Sequence, residues 1–335
     1  MTTTRVIGRH DGHEVVEAVL ETGEARVSVL NYGCVIRDWR IPVAGADMPV
    51  VLGFDDFSAY PAHSKSFGII AGRVANRIAN AAFDLGGRRY RLPANENRHT
   101  LHGGMLGLGR RMWEIGTDSA GNAVRLRYSS PDGEEGFPGN VEFSVEFRLE
   151  GSTLTCEMRG VPDRPTPINL AQHNYYNLSG GGDVRGHVLQ VAASRYTPVD
   201  AELIPTGEIA PIDGQVFDFR EAASIADRDP DRVGFDVNVV LDEQRDVSLP
   251  SAAVTEPSSG VTLRLWTGEP GLQLFNAPNL DVPVPGLGGQ HYGPFAGLCL
   301  ESQHFPDSLR HAHFPTIIRT PEIPYYQKLV VDISG

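Results

Sequence analysis

Cysteine is scarce in this chain, and its distribution excludes one class of protein. Only three cysteines occur in 335 residues, at Cys34, Cys156 and Cys299. Because the count is odd and the spacings are wide, they do not form the framework of a disulfide-stapled secreted domain. We expect free, buried thiols in a protein that works in a reducing compartment.

Long hydrophobic runs are also missing. No apolar stretch approaches the roughly 20 residues that a membrane-spanning helix needs. The first residues, MTTTRVIGRHDGHE, lack the apolar segment of a secretory signal. The sequence therefore predicts a cytoplasmic protein that has no membrane partner.

Positively charged residues are also few relative to negatively charged ones. Lys and Arg number 29 against 42 Asp and Glu, which gives a formal net charge of -13. Proteins that bind nucleic acid or anionic membranes need surface patches of Lys and Arg. The charge balance argues against both partners and is compatible with a neutral small molecule.

Helical patterns are rare, and a two-residue period replaces them. A short helix is predicted only for residues 218–227, DFREAASIAD. In residues 141–149, VEFSVEFRL, every second residue is apolar, and the same alternation resumes in residues 154–158, LTCEM, after the turn GST. This pattern predicts a β-hairpin.

Similar alternation recurs along the whole chain. It is found at residues 15–20, 25–30, 124–128, 261–265 and 329–333. The 37 Gly and 24 Pro are spread throughout, as many turns require. The sequence therefore predicts an all-β fold, in which one large antiparallel domain over residues 1–335 buries a core between two sheets. The strand order is not determined by the pattern.

Several segments predicted as loops carry residues suited to binding or catalysis. A β scaffold commonly displays its sites on such loops. They are AGRVANRIAN (71–80), NENRHTLHGG (95–104), SPDGEEGFPG (130–139), RVGFDVNVVL (232–241) and GLQLFNAPNL (271–280), with GLCLESQHFPDS (297–308) predicted as a strand that runs into a loop.

Seven motifs follow one another in a characteristic order. They are GRVANRI, LHGG, SPDGEEGFPG, QHNYYNLSG, PVDAELIPTGE, GFDVN and LESQHFPD. This set resembles the aldose 1-epimerase, or galactose mutarotase, family, and with the flanking strands the resemblance covers essentially the whole chain. It implies a large antiparallel β-sandwich (the galactose mutarotase-like supersandwich) with few short helices, no metal or other cofactor, and interconversion of the α and β anomers of free hexoses or pentoses.

Anomer interconversion requires two proton-transfer groups. A base takes the proton of the C1 hydroxyl while an acid protonates the ring oxygen O5, and the two exchange roles when the ring closes. The resemblance implies that Glu301 is the base, that His173 is the acid, and that His102 holds the sugar near its ring oxygen. We expect burial to raise the pKa of Glu301, and the charge of Glu301 to favour the imidazolium form of His173.

The residues by themselves leave other interpretations open. Glu301 also fits a strand-end carboxylate that faces solvent, and His173 fits a hydrogen-bonded core histidine. His102 fits a turn residue beside two glycines. Those glycines, Gly103 and Gly104, would permit a positive φ and a close approach of the backbone to a ligand.

Sugar hydroxyls both donate and accept hydrogen bonds, and forked or planar polar side chains suit them. The resemblance implies that Asn76, Arg77, Asp236 and Gln273 bind the sugar. Taken alone, Arg77 would be interpreted as a surface arginine and Asp236 as a turn former. The expected partner is a monosaccharide, and the oligomeric state is left open between a monomer and a homodimer.

The chain departs from the family pattern at several positions. Tyr176 replaces a phenylalanine, Gln172 stands where asparagine is common, and Val237 stands where histidine is frequent. Residues 274–281, LFNAPNLD, differ from the usual sequence. Which aromatic ring stacks on the sugar, Phe275, Tyr175 or another, is not determined.

Two segments contain residues that could bind a metal, but neither has the pattern of a metal site. The histidines of HFPDSLRHAHF, His304, His311 and His313, include an H-x-H pair that a strand would place on one face, but nearby prolines favour a loop and no further ligand keeps regular spacing. The acidic segment SPDGEEGFPG lacks the alternating ladder of a calcium loop.

Two alternative functions remain. A β-sandwich glycosidase would use two carboxylates such as Asp236 and Glu301, which leaves His173 without a main role. A non-catalytic sugar-binding or sensor protein would share the fold, but here both proton-transfer positions carry competent residues.

Overall fold

The computed structural model describes residues 2–118 and 120–335. Strands dominate these residues. In chain order the first are β1 (Thr3–His10), β2 (His13–Glu21), β3 (Arg26–Leu30), β4 (Ile36–Val43), β5 (Ala46–Pro49), β6 (Ile70–Ala71), β7 (Arg77–Ile78), β8 (Ala82–Leu85), β9 (Arg88–Arg91), β10 (Thr100–Leu101), β11 (Glu114–Asp118), β12 (Ala123–Ser130), β13 (Val141–Glu150) and β14 (Thr153–Pro162).

The second half of the chain continues the pattern. Its strands are β15 (Thr166–Pro167), β16 (Ala171–Gln172), β17 (Val188–Val191), β18 (Ala193–Tyr196), β19 (Ala210–Pro211), β20 (Ala223–Ser224), β21 (Asp236–Leu241), β22 (Ala252–Thr255), β23 (Thr262–Thr267), β24 (Gly271–Phe275), β25 (Cys299–Gln303), β26 (Ile318–Arg319) and β27 (Tyr325–Ser334). The short helices are α1 (Ala59–His63) and α2 (Ile225–Arg228), with 3₁₀ turns at Ala79–Ala81, Glu134–Gly136, Leu287–Gly289 and Ser308–Arg310.

The strands form three larger antiparallel sheets. Nine strands pair in the order β11-β12-β13-β14-β27-β23-β22-β17-β20, and five pair as β1-β2-β3-β4-β5. A second five-stranded sheet has the order β19-β18-β21-β24-β25. The predicted hairpin of β13 and β14 is confirmed, with cross-strand pairs running from Val141–Pro162 to Glu150–Thr153.

One continuous core joins these sheets, as the alternation predicted. Phe143, Val145 and Phe147 of β13 lie in the same buried cluster as Trp39 of β4 and Leu274 of β24. Burying one such side chain contributes about 1.5–3 kcal/mol to stability. The all-β sandwich predicted from the sequence is confirmed, and the core lies between the nine-stranded sheet and the two five-stranded sheets.

Two predictions about local structure were wrong. Residues 218–227 are not a helix: Ala223 pairs with Leu189 of β17 at the edge of the large sheet, and only α2 forms a helical turn. Edge pairing satisfies backbone groups that a helix would have used internally. The predicted loops at 232–241 and 271–280 contain β21 and β24. Within the described residues, no helix has the length and apolar character needed to cross a membrane.

Candidate active site

Strand alternation creates a polar face on three neighbouring strands. In β24 and β25, Leu272, Leu274 and Leu300 point into the core, whereas Gln273 and Glu301 lie on the opposite face and are cross-strand partners. This parity places two long polar side chains next to each other on a rigid sheet.

Asp236 completes this face from the start of β21. Its Oδ1 accepts a hydrogen bond from Gln273 Nε2 at 2.5 Å. The next residue, Val237, points the other way and is buried in the core. The departure from the family pattern at Val237 therefore removes no side chain from the polar face, because that position does not reach it.

A second wall comes from the pairing of β7 with β10. Arg77 pairs with Leu101, so His102 follows directly at the end of β10. His102 N donates to Asn76 O at 3.0 Å, and Asn76 N donates to His102 Nδ1 at 3.2 Å. Asn76 and His102 both have positive φ, 59° and 51°, a strained conformation that often marks functional positions.

The turn after His102 requires glycine. Gly103 has a φ of 88°, and a Cβ there would lie 1.9 Å from the carbonyl oxygen of Gly72. The positive φ expected at Gly103 is confirmed. The close backbone approach at this glycine is to Gly72 and not to a ligand. Glu135, from the acidic loop at 130–139, accepts hydrogen bonds from Met105 N and Leu106 N and so holds this turn from outside.

His173 lies between the polar face of β21, β24 and β25 and the β7–β10 pair. It follows β16, and its Nε2 lies 3.5 Å from Glu301 Oε1. Its ring centroid is 5.1 Å from that of His102. Ligand-type atoms of the three side chains lie within 4.8 Å of one another. Glu301 and His173 are both almost completely buried, at 2% and 4% exposure.

The contacts among the seven sequence-predicted residues form a closed ring. Glu301, His173, His102 and Asn76 are linked as described above, and Asn76 Oδ1 accepts from Arg77 N at 2.9 Å. The guanidinium Nη1 of Arg77 lies 3.5 Å from Asp236 Oδ2. Asp236 is hydrogen-bonded to Gln273, and Gln273 is the cross-strand partner of Glu301. The structure therefore brings all seven residues together, although they come from segments separated by up to 225 positions in the sequence.

One member of the site was missed by sequence reasoning. Glu96 accepts two hydrogen bonds from Arg77, at 2.6 Å to Nε and 2.9 Å to Nη2. Burial acts to lower the pKa of Arg77, but Glu96 and Asp236 raise it above its ordinary value. Arg77 therefore stays charged. Nothing in the segment NENRHTLHGG marked this glutamate; only the pairing of β7 with β10 brings it close.

The site opens on the side of this ion pair. The side chains of Glu96 and Asp236 are 29% and 26% exposed, whereas that of Glu301 is 3% exposed. A ligand would therefore enter past Arg77 and reach Glu301 and His173 at the floor.

Glu301 and His173 have strongly shifted pKa values. Burial raises the pKa of Glu301 well above its ordinary value, the charge of Asp236 raises it further, and Arg77 opposes the shift. Burial lowers the pKa of His173 to about 4. The raised pKa of Glu301 was predicted. The expected imidazolium at His173 was wrong, because burial removes the ring from water and disfavours its charged form.

The tautomer of His102 follows from its hydrogen bond. Burial lowers the pKa of His102 well below its ordinary value, and the nearby His173 and Arg77 act in the same direction. The backbone N–H of Asn76 occupies Nδ1, so the single proton of the neutral ring is on Nε2. His102 therefore presents a donor to the site, whereas a metal ion would require a lone pair on that nitrogen.

Two buried oxygens at the floor have no partner. Among residues 2–118 and 120–335, no hydrogen bond reaches Glu301 Oε2 or Gln273 Oε1. Buried polar atoms are rarely left unpaired, and an exception needs an explanation. These acceptors, beside the donors of Arg77 and His102, suit a ligand that carries several hydroxyl groups.

Aromatic rings cover one side of His173. Tyr175 stacks on the imidazole with a centroid distance of 5.2 Å and an interplanar angle of 21°. Phe275 lies 6.1 Å from Tyr175, and both rings line an adjoining cavity of about 400 Å³. A larger cavity of about 840 Å³, lined by Arg195, Arg220 and other residues, shares no residue with the ring of seven.

The disfavoured histidine cluster does not converge. His311 and His313 lie in a loop, with Nε2 atoms 3.2 Å and 2.7 Å from the carbonyl oxygens of Pro205 and Gly207. His304 Nδ1 is 2.6 Å from Glu269 Oε2. His311 and His313 therefore both contact the segment 205–207, whereas His304 contacts Glu269.

Comparisons with known proteins agree with this geometry. The sequence model of the aldose 1-epimerase family matches residues 17–331. A galactose mutarotase of Mus musculus is 36% identical over 319 residues, which cover 94% of this chain and 92% of the mouse protein. An aldose 1-epimerase of Escherichia coli K12 is 34% identical over 298 residues, or 86% of each chain.

Solved structures show the same fold. The crystal structure of an aldose epimerase homologue from C. elegans superimposes with a TM-score of 0.89 at 27% identity, covering 95% of this chain and 99% of the other. A galactose 1-epimerase from Lactobacillus acidophilus gives a TM-score of 0.86 at 24% identity, covering 100% and 98%. With a family match over nearly its whole length and relatives above 30% identity, the chain belongs to the aldose 1-epimerase family.

Proposed function

We propose that this protein interconverts the α and β anomers of free aldoses by acid–base opening and closure of the sugar ring. The observation that carries this proposal is the 3.5 Å contact between Glu301 Oε1 and His173 Nε2 within the ring of seven polar residues. A carboxylate and an imidazole at this separation suit a reaction in which one proton is taken and another is given on neighbouring oxygens.

In the proposed mechanism, the one proton that the pair shares first moves from Glu301 to Nε2 of His173, and the ionised Glu301 then removes the proton from the C1 hydroxyl. Nε2 of protonated His173 gives its proton to O5 as the C1–O5 bond breaks and C1 becomes an aldehyde carbon. Rotation about C1–C2 exposes the other face of the carbonyl group, and O5 adds to it. Glu301 returns its proton to O1 while His173 recovers the O5 proton, so no net proton is consumed.

Throughout this cycle the two groups carry one proton between them. After ring opening that proton is on Glu301 and the imidazole is neutral. The raised pKa of Glu301 and the lowered pKa of His173 favour the same distribution. Burial therefore favours the charge state that accompanies the open-chain intermediate.

The other positions would hold the sugar. Arg77, kept charged by Glu96 and Asp236, donates to hydroxyl oxygens, and His102 donates from Nε2. Gln273 and Asp236 accept. We expect a free monosaccharide as substrate and no additional cofactor, in a cytoplasmic protein that is a monomer or a homodimer with a single domain.

A glycosidase mechanism is less well supported. It would need a second carboxylate that is free to act as nucleophile or base beside Glu301, and Asp236 is the second carboxyl of the pair considered. Both oxygens of Asp236 already have partners, since Oδ1 accepts a hydrogen bond from Gln273 Nε2 and Oδ2 lies 3.5 Å from Arg77 Nη1. A non-catalytic sugar-binding protein would need neither Glu301 nor His173 at the floor.

Polarimetry tests the proposal. The protein should accelerate the change in optical rotation of freshly dissolved α-D-galactose or α-D-glucose, with no metal or nucleotide added. Treatment with a chelator should leave the rate unchanged, because protons alone are transferred. Failure to exceed the buffer rate with several aldoses would favour the sugar-binding alternative, and a chelator-sensitive rate restored by a divalent ion would contradict the proposed mechanism.

The rate should depend on pH as expected for a pair that needs one proton. As the pH falls toward 4, His173 gains a proton while Glu301 is still protonated, so no base remains. At alkaline pH Glu301 loses its proton while the imidazole is neutral, so no acid remains. We expect a broad plateau around neutral pH, checked by kcat measurements with circular dichroism at each pH to show that the fold persists. A rate that rises steadily below pH 5 would contradict this assignment.

A further inference from the structure

The two histidines of the site have different neighbours at Nδ1. His102 Nδ1 faces the backbone N–H of Asn76, which can only donate. His173 Nδ1 lies 3.7 Å from Cys299 Sγ, an atom that can donate or accept weakly. Because a neutral imidazole has one donor and one acceptor nitrogen, these neighbours determine which nitrogen can transfer a proton.

We propose that Cys299 is a positioning residue: its sulfur accepts a hydrogen bond from Nδ1–H of His173, so that Nε2 is the nitrogen that gains and loses the proton. This inference rests on the proposed role of His173 as the acid in ring opening. It assigns opposite tautomers to the two histidines, with the proton of the neutral ring on Nε2 in His102 and on Nδ1 in His173.

The direction of the hydrogen bond follows from what lies on the other side of the ring. His173 Nε2 faces Glu301 Oε1 at 3.5 Å, and burial raises the pKa of Glu301. A protonated Glu301 donates toward Nε2, which leaves the ring proton on Nδ1.

Strand geometry makes Cys299 a fixed partner. Cys299 and Glu301 are two residues apart on β25 and therefore lie on the same face. One strand thus places the proposed base beside Nε2 and the sulfur beside Nδ1. Cys299 is 0% exposed, so no solvent competes for the contact.

A thiol differs from a carboxylate in what it does to the imidazole. Another histidine in this protein, the half-buried His304, has Glu269 Oε2 2.6 Å from its Nδ1. In general a carboxylate beside an imidazole stabilises the positive ring, whereas a neutral sulfur stabilises it poorly. The weak partner therefore keeps His173 a ready proton donor, which suits the weakly basic ring oxygen of a sugar.

The sulfur keeps its own proton in this setting. Burial raises the pKa of the Cys299 thiol well above its ordinary value, and the charges of Glu301 and Asp236 raise it further. The other titratable groups around the imidazole are His102 and Tyr175, which are both neutral. During ring opening the Nε2 proton moves to O5, while the Nδ1 proton and the thiol proton stay in place.

Nitrogen-15 NMR of the whole protein with labelled histidine tests the tautomer without any sugar. The His173 signals are identified by their absence in His173→Asn. At pH 7 the wild type should show a protonated Nδ1 and an unprotonated Nε2. Cys299→Ser keeps an acceptor and should preserve this pattern, whereas Cys299→Ala should give a mixture of tautomers. Cys156→Ser, a buried cysteine outside the ring of seven, is the matched control and should change neither the spectrum nor the rate.

Kinetics give the second measurement. Cys299→Ala should lower kcat by a factor of about 10 with little change in KM, since sugar binding does not use the sulfur, and Cys299→Ser should recover most of the loss. A wild-type His173 with its proton on Nε2 would overturn the inference, as would an alanine variant with unchanged tautomer and kcat. Because the spectra require no substrate, they separate this inference from the proposed function, which polarimetry tests alone.

Discussion

Glu301→Gln is expected to slow anomer exchange by about 10²- to 10⁴-fold while the fold remains intact. Gln has nearly the same shape as Glu but cannot take the proton of the C1 hydroxyl. The cross-strand pairing of position 301 with Gln273 uses backbone groups, so β25 should be unaffected. The measurement is kcat by polarimetry, with circular dichroism to confirm the fold.

The same substitution should increase stability. The folded pKa of Glu301 lies well above its ordinary value of 4.5, so above pH 4.5 the folded state holds a proton that the unfolded state has lost. Stability of the wild type therefore decreases with rising pH through this window, and the glutamine variant lacks this loss. The difference in free energy of unfolding between the variant and the wild type should grow from pH 4.5 upward in urea titrations.

Glu269→Gln provides the matched control. Glu269 is also a buried glutamate beside a histidine, but its partner is His304, outside the ring of seven. This variant should retain activity within a few-fold of the wild type. If Glu301→Gln also kept near-normal activity, position 301 would not supply the base.

His173→Asn is expected to cause a loss of similar size, about 10²- to 10⁴-fold in kcat. Asparagine can still form hydrogen bonds, but it cannot give a proton to O5. KM should change much less, because Arg77, Asp236 and Gln273 remain to hold the sugar. Steady-state kinetics with galactose and glucose would separate the two parameters.

His304→Asn is the control for this second substitution, and its rate should stay near that of the wild type. The double variant of Glu301 and His173 adds a sharper test. Groups that act together lose their joint contribution once either is removed, so the double variant should be little slower than the slower single variant. Losses that simply multiplied would show that the two residues act independently.

The fold was largely predictable because it follows from a local pattern. The alternation of Phe143, Val145 and Phe147 with polar residues indicated a strand with one buried face, and these side chains lie in the core. The order of strands within the sheets was not predictable, since it depends on pairings between distant segments. The closing strand β27, for example, lies in the middle of the nine-stranded sheet, between β14 and β23.

The site residues were predicted from motifs, but their supporting structure was not. Asp236 and Gln273 were expected on loops and instead start or occupy strands, because the apolar residues between the polar ones face the core. Glu96 was missed because its contact with Arg77 arises only when β7 and β10 pair.

The charge state of His173 could not be predicted from the sequence for a different reason. From sequence, a nearby carboxylate favours the imidazolium, since attraction between opposite charges is the visible effect. The structure adds nearly complete burial, which lowers the pKa of His173 to about 4. The extent of burial depends on the whole fold around the residue, so the sign of the shift could not be obtained from the motif.

A crystal structure of Glu301→Gln with bound galactose would show whether Glu301 and His173 act on the same sugar ring. We predict that one pyranose ring lies between the two groups, with the side chain at position 301 within about 2.6–3.2 Å of O1 and His173 Nε2 within the same range of O5. A sugar bound with its C1 hydroxyl and ring oxygen away from both groups, or bound elsewhere on the protein, would contradict the proposed mechanism.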